Sequence, residues 1–426
     1  MSPSRPRTSL LAALVTLSLC SAVACGEPLL PGTPDQSLTL DGPFDGLTGA
    51  QASAHGRGDV EFARTFTPAT GLGPIFVATS CSSCHVADGR GHPVFNITRF
   101  GRYSGVGAFD PMESVGGPQL QNRSVSGYDA ELLPAAASAV ARFMAPSVTG
   151  LGLLEAVDDT TILRLADPDD ADGDGISGRP SLVDSSDFIA EIVSLGALFT
   201  GSERTRHVPV NGKYLGRFGR KARAINLVHQ TVFAYSQDMG VTTDLVPREL
   251  LNVQTGAQAT DLAADPEASG AVVDAVVFYL RTLRAPPRRA ATSAAVVAGE
   301  QLFADIGCAR CHTPRLRTGA SEVAPLDRVE FQPFSDLLLH DMGAELDDGY
   351  TEGDALPSEW RTTPLWGVGL AARSQGGTPF YMHDGRARTL RDAIRLHGGE
   401  GARSRSAFDA LPREQQERLL AFLESL

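Results

Sequence analysis

The chain has 426 residues, 42% of them hydrophobic and 20% charged, which is enough for two or three domains around a buried core. Its formal charge of −13 argues against nucleic acid and against an anionic membrane surface as partners, and it suits a basic protein partner. Of the six cysteines, Cys20 and Cys25 lie near the N-terminus and the other four fall in two short motifs, so none is left for a structural disulfide.

Residues 1–25 read as an export signal. Arg5 and Arg7 make a positive start, and Leu10 to Leu19 form an apolar run too short to span a bilayer. Ala22-Val23-Ala24-Cys25 follows. It resembles a lipoprotein signal with Cys25 as the lipidated residue, and its small-x-small pattern also fits ordinary signal cleavage. Either way export to the periplasm is expected, with the membrane reached only through that lipid. Residues 26–45, rich in proline and glycine, read as a tether, and no later stretch is long and apolar enough to cross a membrane.

Cys81-Ser82-Ser83-Cys84-His85 is a C-x-x-C-H run, and Cys308-Ala309-Arg310-Cys311-His312 is its twin. Two thiols at this spacing can form thioethers to the two vinyl groups of one haem, and the adjacent histidine can ligate its iron. Random placement of these cysteines and histidines yields only about 0.002 such runs per chain. A thioredoxin-like C-x-x-C needs no following histidine, and a zinc site would have to join motifs far apart in the chain. Two covalently bound haem c groups are therefore expected, held by Cys81, Cys84, His85, Cys308, Cys311 and His312.

After the first motif, a stretch punctuated by glycine and proline runs to residue 135 and reads as loops around the haem. Ala136 to Phe143, Gly150 to Val157 and Thr160 to Leu165 read as short helical pieces. Asp170-Ala171-Asp172-Gly173-Asp174-Gly175-Ile176 is the first half of an EF-hand-type loop. It predicts a calcium site using Asp170, Asp172, Asp174 and the Ile176 carbonyl. The twelfth position is Ser181 rather than a glutamate, which leaves Asp184 or Asp187 to close the site.

Helices are expected over Ile225–Tyr235 and Ala268–Leu283, with a linker over Ala285–Arg289. Ala294 to Asp305 is a helical lead-in to the second motif, and Gln415 to Leu426 is a closing helix. The run from Val276 to Leu283 echoes that from Leu419 to Leu426. The expected fold is mainly α: two class I cytochrome c-like domains, 46–285 and 286–426, the first with a large loop-rich insertion.

At this point the chain resembles the bacterial di-haem oxidoreductases described as peroxidases or thiol oxidoreductases, and more distantly the di-haem cytochrome c peroxidases and MauG-type enzymes. The resemblance runs through Cys81–Gly91, Gly150–Glu155, Asp170–Pro180, Phe218–Ala222, Asp238-Met239-Gly240, Gly307–Pro314, Ser335–Gly343, Glu359–Gly367, His383–Leu390 and His397–Glu400. It implies an open, peroxide-binding N-terminal haem and a six-coordinate C-terminal haem that relays electrons from a donor such as a small cytochrome c. Glu155, Glu113 and Gln119 are the candidate distal acid–base groups, and burial of Glu155 in its apolar run would raise its pKa. At the place where the resemblance calls for a methionine or tyrosine ligand this chain has Ser358. His383, then Met342, stand first as the second axial ligand of the C-terminal iron, with Met382, His340 and His397 also open. Arg386 and Arg388 are candidates for haem propionates, and Trp360 or Trp366 for a place between the haems. A non-enzymatic electron carrier and a MauG-like oxidase or oxygenase are the alternatives, since they use the same parts.

Overall fold

The computed structural model describes Met1, Leu40 and residues 42–105, 107–184, 206–256 and 263–426. Nearly all of the expected export signal, Cys25 included, most of the tether, and Asp187 lie outside the described residues. No described helix is long and apolar enough to cross a membrane.

Four helices carry the frame. Gly270–Thr282 buries Val273, Val276, Val277 and Leu280, the i, i+3, i+4, i+7 face that its sequence announces. Ala294–Asp305 starts at Ser293, whose side chain accepts from the Val296 N–H, and buries Val296 and Phe303. Arg413–Ser425 closes the chain and buries Leu419, Phe422 and Leu423. The fourth, Gly49–Ala63, has little periodic apolar signal, because only His55, Gly58 and Phe62 are buried along it. Its start is set locally: Thr48 and Gln51 form a reciprocal capping box.

These helices pack in two pairs, Gly49–Ala63 with Gly270–Thr282 and Ala294–Asp305 with Arg413–Ser425. Each crossing is made at a glycine. A Cβ on Gly58 would lie 2.1 Å from the Ala275 carbonyl oxygen, and one on Gly299 would lie 2.0 Å from that of Arg418. One turn later each lead-in helix presents a phenylalanine to its motif histidine. Phe62 and His85 have ring centres 6.0 Å apart, and Phe303 and His312 6.1 Å apart. The closing helices add Tyr279, 5.3 Å from Phe62, and Phe422, 5.2 Å from Phe303. Tyr279 and Phe422 occupy matching places in the two echoing stretches, so the internal repeat has a spatial counterpart.

Helix is the commoner element, but short sheets bind the loops together. Ile97–Tyr103 pairs on one side with Phe109–Asp110 and on the other with Ala139–Phe143. The stretch expected as a helix over Ala136–Phe143 is thus a strand. Ala139, Ala141 and Phe143 are buried while Val140 and Arg142 are exposed, a period of two that small residues disguise. Leu339–Asp341 pairs with Glu359–Arg361 and sets His340 opposite Trp360. Leu227–Phe233 runs into a π-helical turn, Ala234–Asp238, a geometry that recurs at functional sites.

Candidate functional site

Both motifs turn back on themselves. The His85 N–H donates to the Cys81 carbonyl at 3.0 Å, and the His312 N–H donates to the Cys308 carbonyl at 3.0 Å. Ser80 caps the first turn by accepting from the Ser83 N–H at 3.1 Å. As a result Cys81, Cys84 and His85 line one cavity of about 260 Å³, and Cys308, Cys311 and His312 line a second of about 210 Å³.

All four thiols are free, and burial pushes Cys81, Cys84 and Cys308 up to about 12. Burial pushes His85 and His312 down to about 4, which keeps both imidazoles neutral and able to ligate a metal. His312 donates from Nδ1 to the Phe334 carbonyl at 2.9 Å, which leaves Nε2 as its lone-pair nitrogen.

Arg90, Arg220 and Arg361 line both cavities. Each is about 7% exposed, and among the described residues none forms an ion pair with a carboxylate. Arg220 donates from Nε to the Met144 carbonyl, and Arg361 donates to the carbonyls of Gly219 and Thr362. Arg90 Nε and Arg220 Nη2 are buried without a hydrogen-bond partner. Burial, then the positive charges of Arg90 and Arg361, push Arg220 down to about 9. Three buried cations, two of them with an orphaned N–H, call for anions nearby. Haem propionates would supply that charge, and the guanidinium fork suits a carboxylate. The thiols, the neutral histidines and this wall therefore fit a haem in each cavity. The two arginines first considered for this role lie elsewhere. Arg386 pairs with Asp384 at 2.8 Å, and Arg388 lies over the Phe380 ring.

The expected acid–base residues separate. Glu113 lines the first cavity. Gln119 stands behind the wall, donating from Nε2 to the Asp238 carboxylate at 2.9 Å and to the Gln237 carbonyl at 2.7 Å. Asp238 itself lines the cavity, and burial pushes its carboxyl above the usual range. Its position at the end of the π-helical turn is the local signal that marks it out. Glu155 points into the core instead. It pairs with Arg281 at 2.5 Å and accepts from the Leu227 N–H at 2.7 Å. Burial alone would push it up, as its sequence setting suggests. The charge and hydrogen bonds of Arg281 outweigh burial, and the carboxyl lies below its ordinary range.

His383, Met342, Met382, His340 and His397 all line the second cavity. His383 stacks face to face on Trp360, with ring centres 3.7 Å apart. His340 is held at both ring nitrogens, by Glu400 at 2.6 Å and Asp336 at 2.9 Å, which leaves it no lone pair for a metal. Although burial opposes it, Asp336, Cys311 and Glu400 push His340 up to about 12. Ser358 offers only its backbone carbonyl, to the Met342 N–H. Trp366 lines the first cavity and Trp360 the second, each with its indole N–H donated to a backbone carbonyl.

The acidic loop gathers Asp167 together with two of the aspartates that its spacing names. Carboxylate oxygens of Asp167, Asp170 and Asp172 lie within 4.8 Å of one another. Asp174 pairs with Arg310 and accepts from the Ile176 N–H. Arg310 belongs to the second C-x-x-C-H run, Ile176 lines the second cavity, and Ser177 donates to Glu400 at 3.0 Å. The loop is thus tied to the C-terminal site.

No curated protein matches the chain. Among solved structures, hydrazine synthase from Kuenenia stuttgartiensis, pressurised with xenon at 20 bar, aligns at 14% identity over 94% of this chain and 100% of that chain, with a TM-score of 0.34. The family model described as "Di-haem oxidoreductase, putative peroxidase" matches residues 114–426, a span that contains the second motif and the histidines of the second cavity. With two haem-binding motifs, two cavities and this match, the chain belongs to the di-haem oxidoreductase family.

Proposed function

We propose that the chain is an exported di-haem c-type peroxidase built from two class I cytochrome c-like units, 46–285 and 286–426. The observation that carries this reading is the pair of cavities, each opened by a C-x-x-C-H run, sharing a wall of three arginines. When bound, the haems supply one-electron redox chemistry, the C-terminal one as relay and the N-terminal one as the place where peroxide is reduced.

The chain's own residues hold and place the groups. Cys81 and Cys84 would anchor one and Cys308 and Cys311 the other, with His85 and His312 as proximal ligands. Arg90, Arg220 and Arg361 would neutralise their propionates and keep the two groups side by side. Reduction of hydrogen peroxide to two waters takes two electrons and two protons. Glu113, at the wall of the first cavity, takes a proton from one peroxide oxygen and returns it to the other. Asp238, whose raised pKa favours the protonated carboxyl, is a proton reserve held in place by Gln119. Asp167, Asp170 and Asp172 take calcium and stiffen the loop against the C-terminal site. The charge of −13 favours a small basic cytochrome c as donor, and Cys25 is the lipid anchor that keeps the protein at a periplasmic membrane.

Haem content, electron paramagnetic resonance (EPR) and peroxide turnover of the purified holoprotein test this. Two covalent haems per chain, with one peroxide consumed for every two electrons from a reduced cytochrome, support the reading. A Glu113→Gln variant is then expected to lose about 10²–10⁴-fold in kcat/KM for peroxide. Two low-spin haems that peroxide leaves unchanged would make the chain an electron carrier.

A further inference from the structure

We propose that His397 is the second axial ligand of the C-terminal iron, coordinating through Nε2 and facing His312 across the haem. This rests on the haem reading above and deepens it by assigning a residue.

The argument begins with distance. The ring centres of His312 and His397 are 6.5 Å apart. Two imidazole–metal bonds of about 2 Å, plus about 1.1 Å from each Nε2 to its ring centre, put the centres of a trans pair about 6.2 Å apart. Both rings line the same cavity.

Tautomer comes next. His397 follows the cap residue, Leu396, of the helix Leu390–Arg395, and its Nδ1 lies 2.8 Å from the Ala393 carbonyl. A carbonyl only accepts, so Nδ1 carries the hydrogen and Nε2 keeps the lone pair. His312 is fixed in the same way by the Phe334 carbonyl at 2.9 Å. A metal-bound histidine ordinarily has its other nitrogen tied to such an acceptor, and here two rings of one cavity share that arrangement.

The backbone then holds the ring. His397 precedes Gly398-Gly399, and a Cβ on Gly399 would lie 2.2 Å from the Asp341 carbonyl oxygen. That close approach clamps the turn to the Asp341–Gly343 segment. The rival ligands are placed differently. His340 has both nitrogens engaged, and His383 is stacked flat on Trp360. Met342 is a neighbour of His397, since its methyl carbon and the His397 ring both lie within 3.5 Å of the Cβ position at Gly401. Met342 is therefore the alternative that the test must separate.

Covalent haem is counted first on the purified holoprotein, by the pyridine haemochrome method. EPR and near-infrared magnetic circular dichroism (MCD) of the oxidised protein, of His397→Gly, of His397→Met and of Met342→Leu then follow. The MCD charge-transfer band differs in energy between bis-histidine and histidine–methionine haems. The expected result is a bis-histidine band in the parent protein and in Met342→Leu. The His397→Gly variant should lose that low-spin signal and regain it with added imidazole, and His397→Met should move the band. A His397→Gly protein with two haems and an unchanged low-spin signal overturns the assignment, as does a histidine–methionine band in the parent protein. If the glycine variant fails to fold, His397→Met decides the matter: a moved band supports the assignment, and a bis-histidine band unchanged in that variant overturns it in favour of another histidine of the cavity. Fewer than two covalent haems in the parent protein would overturn the di-haem reading itself.

Discussion

Gly58→Ala tests whether the helix crossings hold the haem cavities in shape. The new Cβ would sit 2.1 Å from the Ala275 carbonyl oxygen and 2.6 Å from the Tyr279 Cβ, well inside the 3.0 Å that such contacts respect. Backbone cannot rotate away, so the helices must part by roughly an ångström, a gap that forfeits about a quarter to a half of each contact across the seam. Overpacking of this kind costs about 3 kcal/mol, and replacing a helical glycine returns about 1 kcal/mol, for a net loss of about 2 kcal/mol. Gly56, in the same helix, has nothing within 4 Å of its Cβ position. Gly56→Ala should therefore stabilise by about 1 kcal/mol, and the two variants should differ by about 3 kcal/mol. Denaturant unfolding of the holoprotein, followed by far-ultraviolet circular dichroism, measures the difference. The absorption spectrum should report a disturbed N-terminal haem in Gly58→Ala alone, because Phe62 moves against His85. Equal stability of the two alanine variants would refute the crossing argument.

Three further outcomes follow from the side-chain geometry. Glu155 has a lowered folded pKa, so its contribution to stability is present above its unfolded value of about 4.5 and is lost as pH falls through the folded value. Glu155→Gln should thus destabilise by about 2–3 kcal/mol at neutral pH, less than a fully buried pair because Arg281 is partly exposed. It should also flatten the acid limb of an unfolding midpoint against pH, and an unchanged limb would contradict the pairing. Arg220→Gln removes a positive charge shared by both cavities, so spectroelectrochemistry should find both haem reduction potentials lowered, and a shift in one alone would deny the shared wall. Added calcium should raise the thermal midpoint of the holoprotein, with a chelator or Asp170→Asn abolishing the rise; terbium luminescence with no change in Asp170→Asn would remove the loop as the site.

Some of this was present in the amino-acid order. A C-x-x-C-H run needs only a single turn to gather its donors, so both haem motifs are local facts. The helices Gly270–Thr282 and Ala294–Asp305 are equally local, because a 3.6-residue apolar period names the face that must be buried. Gly49–Ala63 escaped notice because its contact face is made of a glycine, a histidine and one phenylalanine. Ala139–Phe143 was misread because alanine favours helix, and the pairing with Ile97–Gly101 overrides that preference.

The chemistry around the motifs was decided in three dimensions. Glu155 has an apolar neighbourhood in sequence, and Arg281, far along the chain, reverses the direction of its pKa. Arg90 and Arg220 come from separate loops and Arg361 from the strand Glu359–Arg361, and only their convergence between two cavities gives them a common role. His340 and His397 look alike as free histidines in a line of text. The folded chain occupies both nitrogens of one and ties only Nδ1 of the other. The sequence by itself determined which atoms could bind a haem, since that depends on spacing along one turn. The tertiary structure alone decided which carboxylate, cation or imidazole faces it, since charge, desolvation and hydrogen bonding act between neighbours in space.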